Sequence, residues 1–181
     1  MTTPRSRTLI INLFGGPGVG KSTYAAGLFY RLKTFDINCE LVREYAKDRA
    51  WLGDHATLSN QAYVTCKQYF RQASVDGQVD VIITDSPIIL GLVYKGRGCT
   101  PSFQNWLLEV FNEFDNLNVF LCRNTTSHPY NPKGRCQTEA EAENKDCEIF
   151  KLLELVNVPY HELKVSDDTL DRLGELVLER M

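Results

Sequence analysis

Short apolar runs alternate with stretches of helical periodicity along the whole chain, the pattern of a parallel sheet with helices on both faces. Residues 8–14 (Thr-Leu-Ile-Ile-Asn-Leu-Phe) form a β-branched and aromatic run closed by glycines, which predicts a buried strand. A helix is expected over 21–33 and a second strand over 39–43. A long helical pattern covers 57–75, and a third strand over 79–84 stops at Asp85-Ser86-Pro87, where proline blocks continuation. Phe103, Trp106, Leu107, Val110, Phe111 and Phe114 recur at i, i+3, i+4, i+7, i+8 and i+11, one apolar helical stripe that faces a core. A fourth strand is expected over 118–122, followed by a polar segment, 124–137, with two prolines and a glycine and no core-facing period. Thr138 and Glu141 have the spacing of a capping box, and the helix they open runs to about Val156. A fifth strand over 160–165 and a closing helix over 167–179 complete a single α/β domain spanning 1–181, with no internal repeat or linker.

Composition narrows the class. With 43% hydrophobic and 24% charged residues the chain is an ordinary globular domain. Its 20 Lys+Arg against 23 Asp+Glu, a formal charge of −3, argues against a surface that grips nucleic acid over its whole extent but leaves room for one basic cleft. Six cysteines without a C-x-x-C pattern predict reduced thiols, and the three histidines have no metal spacing. The polar start, Met1 to Arg7, leads into an apolar run too short for a signal sequence or a membrane span, so a cytoplasmic protein with no membrane partner is expected.

The chemistry concentrates in Gly15-Gly16-Pro17-Gly18-Val19-Gly20-Lys21-Ser22, a match to G-x-x-x-x-G-K-[ST] between a predicted strand and a predicted helix. Glycines let such a loop curl so that successive N–H groups converge on phosphate oxygens, and the helix N-terminus adds partial positive charge. Residues Gly15 to Thr23 are therefore expected to hold a nucleoside triphosphate, with Lys21 on the β- and γ-phosphates and the Ser22 hydroxyl on Mg²⁺. A guanine-reading N-K-x-D element is not recognised: Asn144-Lys145-Asp146 puts the acid one place early and inside a predicted helix. A mechanical ATPase would need further modules for which there is little room. Arg43 and Glu44 end the second strand and Asp85 ends the third, at the sheet edge where this architecture binds ligands. One acid can orient or deprotonate an attacking hydroxyl while the other holds Mg²⁺. Asp48 and Arg49 are weaker candidates.

This order of elements, P-loop, Arg-Glu, Asp-Ser-Pro, arginine and basic segment, resembles the thymidylate kinase and deoxynucleoside kinase group of P-loop kinases over about residues 8–180. It is also similar to the ribosylnicotinamide kinase domain, including small phage-encoded kinases of that type. The resemblance implies a three-layer fold with a five-stranded parallel sheet and an arginine-bearing lid, with ATP and Mg²⁺ as cofactors. It implies that Glu44 handles the acceptor, with Arg43 beside it. The group's acid after the third strand is usually followed by arginine, whereas Ser86 stands here, leaving Asp85 as base or metal-side ligand. Residues 124–137 correspond to the lid, with Arg123, Lys133 and Arg135 around it and Arg135 chosen to neutralise the transferring phosphoryl. Gln61, Thr65, Gln68 and Gln72 fall near one helical face that the resembling kinases use for base contacts, with Tyr63, Tyr69 and Phe70 close by for stacking. The expected reaction is transfer of the ATP γ-phosphoryl to a nucleoside or nucleotide. One alternative acceptor is 5-hydroxymethyluracil within phage DNA, with Arg43, Lys47, Arg49, Lys95, Arg97 and Lys133 as a basic channel. A regulatory or hydrolytic ATP-binding module is the alternative of another class. Kinases of the group are often homodimers.

Overall fold

The computed structural model describes residues 7–94, 96–124 and 138–181. Five strands, β1 (Leu9–Phe14), β2 (Cys39–Val42), β3 (Val81–Thr84), β4 (Asp115–Cys122) and β5 (His161–Lys164), form one parallel sheet in the order β2-β3-β1-β4-β5. The helices are α1 (Lys21–Thr34), α2 (Tyr45–Trp51), α3 (His55–Leu58), α4 (Gln61–Ala73), α5 (Pro101–Glu113), α6 (Glu139–Leu155) and α7 (Thr169–Arg180), with a 3-10 turn at Ile88–Leu92.

β1 is central because all six of its residues are apolar or internally paired and all are buried. Its period-2 alternation divides the core. Leu9, Ile11 and Leu13 pack with Ala25, Leu28 and Leu32 of α1 and Leu173 and Val177 of α7. On the other face Phe14 packs with Leu107 and Phe111 of α5 and Ile149 and Leu153 of α6, while Ile10 meets Val42 and Ile82. Each such fully buried side chain contributes about 1.5–3 kcal/mol. Asn12, 1% exposed, is tolerated there because its amide donates to Asn118 Oδ1 at 3.0 Å and Asn116 Oδ1 at 2.8 Å. Those partners in turn donate to the Pro159 carbonyl at 3.0 Å and the Phe111 carbonyl at 2.7 Å.

The fold class expected from the sequence is the one observed, with local differences. The helix expected over 57–75 is two helices, because Asn60 breaks the run and caps α4 by accepting the Tyr63 N–H at 3.2 Å. The short helix α2 lies where no element was expected, and α3 begins two residues before the expected helix, capped by Asp54 through the Thr57 N–H at 3.0 Å. β4 starts three residues early, since Phe114 turns extended and Asp115, Asn116 and Leu117 pair with Leu9, Ile10 and Ile11. β2 stops at Val42, so Arg43 and Glu44 leave the sheet edge. Thr138 and Glu141 form the expected capping box. No helix among the described residues is long and apolar enough to cross a membrane.

Candidate functional site

The strand order brings the carboxyl ends of β3, β1 and β4 side by side. The turn after β1 therefore lies between Asp85 and Arg123. In that turn Gly15, Gly18 and Gly20 have φ of 134°, 87° and 101°, a region that side chains with a Cβ rarely occupy, which is why the loop curls before α1. Lys21 folds back over it, donating from Nζ to the carbonyls of Gly15 at 2.6 Å and Gly16 at 2.9 Å. Burial pushes the Lys21 ammonium below its usual value, against the pull of Glu44, Asp85 and Asp146.

Asp85, 5% exposed, joins the two sides of the site. Its Oδ2 accepts the Ser22 hydroxyl at 2.5 Å and its Oδ1 accepts the Glu44 N–H at 3.1 Å. A hydroxyl and a carboxylate in contact, both hard oxygen donors, suit a Mg²⁺ ion that takes its remaining ligands from phosphate and water. Among the described residues no group of three or more His, Cys, Asp or Glu is arranged to hold a metal ion. Glu44 occupies the position before α2; burial pushes its carboxyl up, and Lys21 and then Asp85 act on it with opposite signs.

The other expected site residues divide. Arg43 is exposed, and its carbonyl takes a hydrogen bond from Arg71 at 3.2 Å. Asp48 pairs with Arg71 at 2.7 Å and Arg49 lies 3.8 Å from Asp54, so both brace α2 rather than reach Asp85. The glutamine row of α4 is turned inward. Thr65, Gln68 and Gln72 are buried, and Gln61 donates to Thr65 Oγ1 at 3.3 Å. Gln68 Oε1 accepts the Tyr45 N–H at 2.8 Å, while its Nε2 has no partner. Tyr69 belongs to the core, edge-on to Trp106 at 5.5 Å, whereas Tyr63 and Phe70 are exposed. Arg135, Lys133 and Lys95 lie outside the described residues.

Arg123, expected beside the lid segment as a substrate-binding residue, reaches the P-loop. Its Nη2 donates to the Pro17 carbonyl at 2.9 Å and its Nε to Asp146 Oδ2 at 2.9 Å. Asp146 Oδ1 also accepts the Gly16 N–H. Asp146 belongs to the Asn144-Lys145-Asp146 run, whose spacing does not match a guanine motif. Tyr94 was missed as well: Lys145 Nζ sits 5.0 Å above its ring, and its phenol is pushed up to about 12 by burial first and then by Glu44, Glu148 and Asp146. A surface hollow of about 460 Å³, lined by residues including Leu153, Val158 and Tyr160, contains no residue of the P-loop or of the Glu44–Asp85 pair.

Residues 10–172 match the family described as AAA domain. The chain belongs to that family. A similar solved structure is the crystal structure of NadR protein in complex with NR, with a TM-score of 0.66 at 16% sequence identity. The match covers 95% of this chain and 51% of that one, so this chain spans about half the NadR chain. At that identity the likeness establishes the fold, a five-stranded parallel P-loop kinase architecture. In all, 178 solved chains match, and a fold so widely shared does not choose a substrate. No curated protein matches the sequence. Membership and fold agree on a P-loop nucleotide-binding domain, and the geometry gathers Lys21, Ser22, Asp85 and Glu44 beside its glycine-rich loop.

Proposed function

We propose that this protein is a Mg²⁺-dependent phosphotransferase that moves the γ-phosphoryl of ATP to a hydroxyl or phosphate of a nucleoside or nucleotide. The observation that carries this reading is the Ser22–Asp85–Glu44 connection, which holds a second carboxyl beside the P-loop lysine. A kinase needs an acid placed to meet an acceptor, and Glu44 is half-buried where the Lys21 charge acts on its carboxyl.

The P-loop N–H groups and Lys21 bind the donor, Lys21 leaving the Gly15 and Gly16 carbonyls for phosphate oxygens. Ser22 and Asp85 would hold Mg²⁺, which neutralises phosphate charge when bound. Glu44 accepts the proton of the attacking hydroxyl at its carboxylate, a role suited to a carboxyl whose basicity burial has raised. Gln68, held by the Tyr45 N–H, keeps Nε2 as a free buried donor for an acceptor carbonyl, with Gln61 two turns away. Arg43 and Arg135 remain expected contributors of positive charge.

A second reading, transfer to 5-hydroxymethyluracil within DNA, is favoured by the outer face of α4. Tyr63 and Phe70 are 44% and 67% exposed, with Lys67 Nζ 5.5 Å from the Tyr63 ring, and Trp51 at the end of α2 is 73% exposed. Exposed aromatics beside cations suit stacking on a single strand.

The test is transfer of labelled γ-phosphate from ATP to ribo- and deoxynucleosides, ribosylnicotinamide, monophosphates, and DNA with and without hydroxymethylated bases. A labelled acceptor supports the kinase reading and selects between its forms. ATP turnover indifferent to every acceptor, with no labelled product, refutes it in favour of a hydrolytic or regulatory module.

A further inference from the structure

Away from the Lys21–Asp85–Glu44 group, Arg123 and Asp146 form a charged pair at 2.9 Å. Both side chains are largely buried, at 10% and 17% exposed, yet neither meets Ser22, Asp85 or Glu44 by hydrogen bond. Among the described residues, everything they hydrogen-bond besides each other is P-loop backbone. Asp146 takes the Gly16 N–H and Arg123 gives to the Pro17 carbonyl, so the pair fixes two peptide planes of the loop, Gly15–Gly16 and Pro17–Gly18. The fit is close on the α6 side: a Cβ on Gly16 would stand 2.7 Å from Asp146 Oδ1 and 2.5 Å from the Ala142 carbonyl.

We propose that Arg123 and Asp146 are positioning residues for triphosphate binding, a brace from β4 and α6 that holds the glycine-rich loop in its phosphate-receiving shape. The inference rests on the reading of Gly15–Ser22 as a triphosphate site and is independent of whether phosphoryl transfer follows. A loop with Gly15, Gly16 and Gly18 loses more backbone freedom on ordering than other sequences, and that loss weakens binding unless the loop is ordered beforehand. Lys21 supplies part of the order by gripping the Gly15 and Gly16 carbonyls, but it surrenders that grip when it turns to phosphate. The Arg123–Asp146 brace uses the Gly16 N–H and Pro17 carbonyl and leaves the N–H groups of Gly18 to Ser22 for the ligand.

The pair is also electrostatically arranged for an anion. Lys21 senses Asp146 and Arg123 with opposite signs, so the brace adds no net charge beside the phosphates. Its two members are therefore not equivalent. Removing Arg123 leaves a bare carboxylate facing the ligand. Removing Asp146 leaves a cation, which attracts phosphate while the loop loses its Gly16 anchor.

The experiment is direct binding of ATP, ADP and AMP to the full chain with Mg²⁺ and no acceptor, by calorimetry, beside thermal melts of each variant. Arg123→Met is expected to weaken ATP binding about hundredfold and Asp146→Ala about tenfold, the range of charge-assisted hydrogen bonds. The double variant is expected to bind better than Arg123→Met alone, and the Arg123→Met loss is expected to shrink as salt rises. ATP and ADP are expected to suffer more than AMP. Arg123→Lys, which keeps the charge without the fork, is the variant that decides if Arg123→Met does not fold, with an expected loss of about threefold. ATP affinity within twofold of wild type in folded variants overturns the proposal. So do equal, additive, salt-independent losses or losses shared equally by AMP, which mark a pair that only stabilises the fold. A failure of phosphoryl transfer with this binding pattern intact counts against the kinase reading alone.

Discussion

Gly16→Ala separates steric from conformational demands on the P-loop. Gly16 has no positive φ, so alanine meets no backbone penalty there, and any effect comes from its methyl group. The built Cβ lies 2.5 Å from the Ala142 carbonyl, and 3.0 Å is the closest such approach, so the loop and α6 must part by at least 0.5 Å. Ala142 is fully buried and its carbonyl belongs to helix backbone, which cannot rotate aside as a side chain would. Overpacking of this kind costs about 1–3 kcal/mol. For a domain of this size each kcal/mol lowers the melting temperature by roughly 2–4 °C, so a drop of about 2–12 °C is expected. The Asp146 contact is pushed away at the same time, so ATP affinity is expected to fall with stability. Gly53→Ala is the control: its φ of 64° strains alanine, but nothing lies within 4 Å. It should cost about 1–2 kcal/mol and leave ATP affinity unchanged. Differential scanning calorimetry with and without nucleotide reads both quantities. A Gly16→Ala protein that melts within about 1 °C of wild type and binds ATP normally would refute the packing argument.

Glu44→Gln should leave ATP binding intact and depress transfer by about 10²–10⁴-fold, the usual contribution of a positioned base, as measured by single-turnover labelling. Wild-type transfer should rise with pH as Glu44 ionises above the ordinary carboxylate range. The same ionisation acts oppositely on stability: because the folded carboxyl is raised, its contribution is full below the unfolded value and is lost as pH rises through the folded one, a slope the glutamine variant should lack in urea titrations. Gln68→Leu should raise the acceptor KM while leaving the ATP KM unchanged, and it leaves the Tyr45 N–H without its partner at a cost of about 1–3 kcal/mol in denaturant unfolding. Asn12→Leu should destabilise the sheet by a similar amount, about 1–3 kcal/mol, because Asn116 and Asn118 lose the donor they share, while steady-state kinetic constants stay unchanged.

Residues whose role is set by their immediate neighbours were legible in the sequence. The P-loop lies in one turn between a strand and a helix, and strand-end acids announce themselves by closing apolar runs; Asp85 and Glu44 do meet, through an N–H and a carboxylate. Caps were legible where they were sought, as at Thr138, and missed where an apparent helical period ran across Asn60. The α4 glutamines show the limit of periodicity. Their spacing marks one face of a helix but says nothing of what that face meets, and the face proved buried.

The sequence by itself determined the buried strand over 8–14, the phosphate loop and the helices that carry apolar stripes, because backbone preference and side-chain period act over a few residues. Tertiary structure alone decided which distant groups complete the site. Asp146 stands 130 positions from Gly16 and reaches it only because β4 lies beside β1 and α6 packs on that face of the sheet. Spacing along the helix could not distinguish that aspartate from its neighbours Glu143 and Glu148. The choice among them is made by where a helix comes to rest on a sheet, and strand order and packing set that position.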